Sequence, residues 1–189
     1  MPDVFELLHQ DHVKVIGLLA QLRKASPKSP EELRETNRVA QHLVIEESRH
    51  EASEEIVLWP SVRLHVPEGD GLADTALDQE QKGKWVLHGL SYRTPENEGF
   101  ADLVEEFANL SEAHIAFEEL EVWPALRSHL KGHQGYKLAT KLAKAKASAP
   151  TRPHPGAPTD PRKLARVGTL VSAMDRSVDF VTGRGRDQP

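Results

Sequence analysis

Residues 50–65, HEASEEIVLWPSVRLH, return as residues 114–129, HIAFEELEVWPALRSH. Half of the aligned positions are identical, among them His50/His114, Glu54/Glu118, Glu55/Glu119, Trp59/Trp123, Pro60/Pro124 and Arg63/Arg127. A His and a Glu four residues apart share one helix face, one turn from each other. Two such helices facing each other would gather two imidazoles and two carboxylates around one interior point, the way a helical bundle builds a metal site. The competing reading is a pair of surface helices carrying i,i+4 contacts, and the return of the same pair in the same context argues against it.

Working outward, Asp3 to about Lys24 reads as a first helix, with Phe5, Leu8, Val15, Leu18, Leu19 and Leu22 forming an apolar stripe. Ser26–Pro30 breaks it. Ser29 with Pro30 and Glu32 then makes a capping box for a second helix, which carries the first copy to about Trp59, where Pro60 should kink or end it. Pro67–Gly71 reads as a loop, and Ala73 to Leu90 as a third helix with Gly83 as a weak point. Arg93–Gly99 precedes a fourth helix, which holds the second copy up to Trp123-Pro124. No stretch alternates at period two, so the fold class is all-α. Short loops predict an up-down-up-down four-helix bundle, and the repeat on its second and fourth helices predicts pseudo-twofold symmetry.

This bundle is expected over residues 1–130, with 131–189 as a C-terminal helical extension. Within the extension, Tyr136–Ala147 is a Lys/Ala-rich helix and Ser148–Pro161 an extended Pro-rich connector. Asp160-Pro161 opens a last helix, whose apolar residues Leu164, Val167, Val171, Met174, Val178 and Val181 are spaced 3-4-3-4-3. That seam should pack on the chain's own bundle, with a homodimer contact as the alternative. Arg184–Pro189 should be disordered.

Composition narrows the chemistry. The chain has 189 residues, a net charge of -5 and charges of both signs throughout, which disfavours a nucleic-acid partner. No apolar run approaches a membrane span, so no membrane partner is expected. The N-terminus lacks the pattern of a signal peptide, and a cytoplasmic location is the default expectation. Cysteine is absent, which removes disulfides, thiolate metal sites and cysteine nucleophiles, so a bound metal must be held by His and carboxylate. Such donors suit iron, manganese or zinc. The first helix offers His12, in register with the apolar stripe, with His9 one turn earlier as its competitor.

These features together resemble the hemerythrin-like (HHE cation-binding) family over about residues 3–130. The matching residues are the Asp11-His12 pair, the two HxxxE segments and the acidic stretch of the third helix. The resemblance implies a non-haem di-iron centre with an oxo or hydroxo bridge. His12, His50 and His114 would be terminal ligands, Glu54 and Glu118 bridging carboxylates, and Glu51 an additional carboxylate. The third helix departs from the pattern: Glu80-Gln81 stands where the family has Glu-His, and His88 lies about 10 Å too far along the axis. An amide is a poorer iron ligand than an imidazole, so one tight and one weak site are expected, holding one or two irons, with Glu80 or Glu119 able to make up the deficit. Glu55 and Glu119 are expected outside the ligand set, and Trp59 and Trp123 as apolar caps of the bundle.

A donor set poor in His and rich in carboxylate favours oxidation over reversible oxygen carriage. The expected function is therefore a protein that reacts with or senses O2, H2O2 or NO, catalase-like in one form. The alternatives are an iron-responsive regulatory module without turnover and a bundle whose metal site has decayed.

Overall fold

A computed structural model describes residues 2–157 and 161–182, with side chains for all of these but 161–170. Every regular element among the described residues is helical: α1 (Val4–Lys24), α2 (Pro30–His65), α3 (Gly69–Ser91), α4 (Phe100–Phe117), a π-helical turn (Glu118–Val122), α5 (Trp123–His129), α6 (Gln134–Ser148) and α7 (Pro161–Thr182). The fourth helix of the bundle is α4, the π turn and α5 read as one rod. The helices pack in a ring, α1 against α2 and α4, and α3 against α2 and α4.

Apolar patterning fixes the directions of the helices. One core cluster holds Phe5 and Leu8 of α1, Leu58 and Val62 of α2, Ala73 and Ala76 of α3, and Val122 and Leu126 of the fourth rod. The other holds Leu19 and Leu22 of α1, Leu43 and Val44 of α2, Leu87 and Leu90 of α3, and Val104 and Phe107 of α4. Successive helices therefore run from one cluster to the other and back, up-down-up-down. Between the two apolar clusters, each helix contributes a short stretch of buried polar residues, and these stretches make one layer across the bundle.

Local chemistry explains the ends of the helices. Asp3 and Glu6 form a complete capping box at α1. At α2 only half of the expected box forms: Ser29 accepts from the Glu32 N–H, while the Glu32 carboxylate takes the N–H of Lys28 instead of Ser29. Pro60 does not end α2, which runs five residues further. An interior proline costs roughly 3 kcal/mol, but Leu58, Trp59 and Val62 around it are all but fully buried and hold the segment in register. Likewise Pro124 does not end the second copy, which continues to His129.

The third helix begins earlier than its sequence suggests, at Gly69. Here α2 and α3 approach so closely that a Cβ on Gly69 would lie 2.3 Å from the carbonyl oxygen of Val62. Glycine at this point permits the tight α2–α3 corner.

The extension is built onto the bundle. Leu138, Ala139, Leu142 and Ala145 of α6 belong to the same cluster as Phe5 and Leu58. The final helix corrects the expected seam: Met174, Val178 and Val181 are 70%, 47% and 83% exposed, and α7 turns a polar face inward. Ser172 donates to the carbonyl of Ala149. Asp175 accepts from the backbone N–H groups of Thr151 and Arg152 and pairs with His154, and Asp179 takes the Thr151 hydroxyl and the Arg152 guanidinium. Hydrogen bonds to carboxylates are stronger than neutral ones, and here they latch the connector. Leu164 and Val167 have no described side chains, and Asp160 and 184–189 lie outside the described residues.

Removing the Asp175 carboxylate should release this latch without touching the core. Asp175→Ala is expected to cost about 1–3 kcal/mol locally and to speed amide exchange at 149–154, with helix content unchanged. Unchanged protection there would show that the latch does not hold the connector.

Candidate metal centre

The polar layer is assembled from all four rods, two helices at a time. In α1 the buried stripe Phe5, Leu8, His12, Val15, Leu19, Leu22 is spaced 3-4-3-4-3, so His12 points to the bundle axis. In α3 the buried stripe Ala73, Ala76, Glu80, Gly83, Leu87, Leu90 has the same spacing and phase, and Glu80 stands in it where His12 stands in α1. His50 and Glu54 enter from α2, and His114 and Glu118 from the fourth rod. All six are buried, at 0–6% exposure.

Their donor atoms converge. One ligand atom each from His12, His50, Glu54 and Glu118 lies within 4.8 Å of the others, and the same holds for Glu54, Glu80 and His114. Glu118 reaches both imidazoles of its neighbourhood, with Oε2 3.1 Å from His12 Nε2 and Oε1 3.3 Å from His114 Nε2. Glu54 Oε2 lies 3.3 Å from His50 Nε2. These approaches lack hydrogen-bond geometry: His12 Nε2, His114 Nε2 and both carboxylate oxygens of Glu54 and Glu118 have no hydrogen-bond partner among the described residues. Buried polar atoms left this way cost roughly 1–3 kcal/mol each. Pointing at common centres, they form a donor set that fits a cation, with Glu54 common to the two groups and Glu118 reaching from the first toward His114.

The other nitrogen of each imidazole is fixed from behind, as ligand histidines usually are. His50 Nδ1 faces Asp11 Oδ2 at 3.4 Å, His114 Nδ1 faces Gln79 Oε1 at 2.9 Å, and His12 Nδ1 faces Glu119 Oε1 at 2.9 Å. Asp11 is itself held by Lys146 of α6 at 2.5 Å, so the extension reaches the back of the site. Burial would raise the Asp11 carboxyl, but His50 and Lys146 outweigh it and hold it at about 2. The His12 ring stacks on Trp123, with centroids 5.1 Å apart and planes 16° from parallel, and Trp59 Nε1 donates to Glu80 Oε1 at 2.5 Å. The two tryptophans thus brace the corresponding residues of the two halves. Glu118, where the π turn begins, is also where the fourth rod departs from α-helical winding, a distortion often found at functional sites.

Several residues fall differently from their sequence reading. Gln81 does not join the cluster; its side-chain amide donates to the carbonyl of Pro155 in the connector. The position expected for it belongs to Glu80. His9 stays at the surface, paired with Glu119. Glu51 is buried beside the site, its Oε2 lacking a hydrogen-bond partner, without belonging to either donor group. Glu55 is buried against Lys84. Gln79 and Lys84 were not singled out from sequence, and Asp11 was named only as part of the Asp11-His12 pair. The usable signal for Gln79 and Glu80 was the matching 3-4 stripe of α1 and α3, which sets the register one residue earlier than the Glu80-Gln81 reading.

The hemerythrin HHE cation binding domain matches residues 3–126, and the chain belongs to that family. An uncharacterized hemerythrin-like protein of Schizosaccharomyces pombe is 25% identical over 182 residues, covering 96% of this chain and 87% of that protein. A DNA nickase of Nostoc sp. is 26% identical over 151 residues, covering 79% of this chain but only 41% of the nickase. The crystal structure of a hemerythrin HHE cation binding domain-containing protein from Mycobacterium kansasii shares the fold, with a TM-score of 0.64 and 21% identity, covering 93% of this chain and 99% of that one. Family membership and the buried His/Glu layer make this a cation-binding fold. No described helix is long and apolar enough to cross a membrane.

Protonation links the site to pH. Burial pushes the Glu54 carboxyl well above its ordinary range, and Glu118 and Glu80 push it further. Burial also raises Glu80, to about 8, against the pull of Lys84. Burial would lower His114, but Glu118 beside it raises it to about 9; Glu118 in turn is held well below the usual carboxylate range by His114 and His12, against its own burial. Near neutral pH a cation must therefore displace protons from Glu54, Glu80 and His114. Such protons compete more strongly as pH falls, so metal affinity should weaken on acidification by about tenfold per pH unit for each proton released. Calorimetric titration in buffers of different ionisation enthalpy should show net proton release at pH 7. No release would contradict this protonation pattern.

Proposed function

We propose that the protein holds two iron ions in this layer and reacts with or senses a small oxidant: dioxygen, hydrogen peroxide or nitric oxide. In this reading His12 and His50 serve one iron, His114 and Glu80 the other, and Glu54 and Glu118 are shared by both. Residues 1–130 would be the metal-binding bundle and 131–189 its cover. The observation that carries the reading is two overlapping groups of buried His and Glu donors, in which His12, Glu54, His114 and Glu118 keep atoms without hydrogen-bond partners. Bound iron would supply one-electron redox chemistry and exchangeable positions for a small ligand.

The chain's own residues limit what can react there. The donors lie at 0–6% exposure between two apolar clusters, so only molecules of a few atoms fit beside them. Asp11 and Glu119 orient His50 and His12 and strengthen them as donors. Three carboxylates among six donors favour the ferric state, which suits consumption of an oxidant better than its reversible carriage. Manganese or zinc would satisfy the same donor types.

A regulatory reading without turnover draws on one observation, the polar latch between α7 and the connector. A metal-dependent change in the bundle could open or close it, because Met174, Val178 and Val181 of α7 are exposed and polar contacts hold this stretch of the helix. Steady consumption of peroxide per iron supports the reactive protein, whereas metal-dependent exchange protection at 149–182 without consumption supports the switch.

The test is iron content and peroxide turnover of protein from iron-supplemented cells. Near two irons per chain are expected, and His50→Ala or His114→Ala should lose at least one of them and lower peroxide consumption by roughly 10- to 100-fold, as loss of a ligand or its support does elsewhere. Iron unchanged by both substitutions would defeat the assignment.

A further inference from the structure

The two halves of the centre differ at one ligand position, and the difference has a counterpart one helical turn away. In the α1 half His12 occupies the position, and its Nδ1–H can donate to the carboxylate of Glu119. In the α3 half Glu80 occupies it, and the residue matching Glu119 is Glu55. A carboxylate has no proton to donate to a second carboxylate when both are ionised. Left to themselves, Glu55 and Glu80 would repel each other in a buried site that already contains Glu51, Glu54 and Glu118.

Lys84 resolves this. It follows Glu80 by four residues on the same face of α3, and its Nζ donates to Glu55 and lies 3.5 Å from Glu80 Oε2. Only 9% of Lys84 is exposed, and its neighbours hold it charged. The equivalent position of α1, 68 residues earlier like His12 before Glu80, is Ile16, which is 44% exposed. The connector supplies the burial, since Pro150, Arg152, Pro153 and His154 enclose with Lys84 a cavity of about 40 Å³ over the α2–α3 face. A buried ammonium is costly unless paired, and here it is paired on two sides.

We propose that Glu80 and Lys84 act as one unit in place of an imidazole, with Lys84 the positioning residue that allows a carboxylate to serve as the α3 ligand. The pair carries no net charge, as a neutral imidazole carries none. Lys84 passes the donor role of the imidazole N–H to Glu55 and holds Glu80 toward Glu54 and His114. The inference rests on the two-cation reading given above.

The experiment is an anaerobic titration with ferrous iron, followed by calorimetry, on the full chain and three variants. The wild type should bind two ions. Lys84→Met should weaken the second ion at least tenfold, while the first is unchanged. In a Glu80→His background the sign reverses: adding Lys84→Met should strengthen the second ion at least tenfold, because an ammonium beside an imidazole repels the cation and blocks the N–H contact to Glu55. A merely structural lysine would not reverse sign with the residue at position 80. If Lys84→Met alone does not fold, the comparison within the Glu80→His background decides. Two ions bound with equal affinity by wild type and Lys84→Met, or no gain from Lys84→Met in the Glu80→His background, overturns the proposal. A wild type that binds one ion or none overturns it together with the two-cation reading, and so separates the two failures.

Discussion

Charge burial is the constraint on which the rest of this structure depends. Six donor side chains, three of them carboxylates, sit in a layer between two apolar clusters, where an isolated charge costs several kcal/mol after relaxation. The protein meets that cost in three ways. Glu118 is paired with two imidazoles, Glu54 and Glu80 are pushed by burial toward keeping their protons, and Glu80 is further held by Trp59 and Lys84. Each arrangement is a partial substitute for a cation at the centre, and around Glu54 and Glu118 it leaves oxygen and nitrogen atoms without hydrogen-bond partners, aimed at the same space.

The apolar clusters position this layer and the extension seals it. Because each rod crosses from one cluster to the other, a single 3-4 stripe per helix fixes which residue faces the axis. Lys146 of α6 holds Asp11 behind His50, and the connector, latched by Asp175 and Asp179, covers Lys84 and Gln81 behind Glu80. The extension therefore supports both halves of the centre, from opposite sides of α2, without supplying a donor to either group.

Much of this was legible in the sequence because repetition is a strong signal. The two HxxxE copies gave His50, Glu54, His114 and Glu118, and the stripe of α1 gave His12. On the third helix the expected Glu-His pair left Glu80 and Gln81 both open, and the Ala73, Ala76, Glu80, Gly83, Leu87 stripe puts Glu80 in the layer and Gln81 on the connector. Prolines misled at the helix ends: Pro60 and Pro124 look like stops, but the burial of Trp59, Val62, Trp123 and Leu126 outweighs their cost. The seam of α7 misled in the other direction. Apolar residues at heptad spacing suggest an inward face, yet Met174, Val178 and Val181 are exposed, while Asp175, Asp179 and Ser172 find backbone and side-chain partners in the connector. No local pattern announces contacts between residues 23–28 positions apart.

The most direct test is a crystal structure of the iron-loaded protein with anomalous scattering measured at the iron edge. The account predicts two peaks roughly 3.5–4 Å apart, both bordered by Glu54 and Glu118, one nearest His12 and His50 and the other nearest His114 and Glu80. Peaks confined to surface residues such as His9, or a single peak that leaves Glu80 on Lys84 and Trp59 alone, would contradict it.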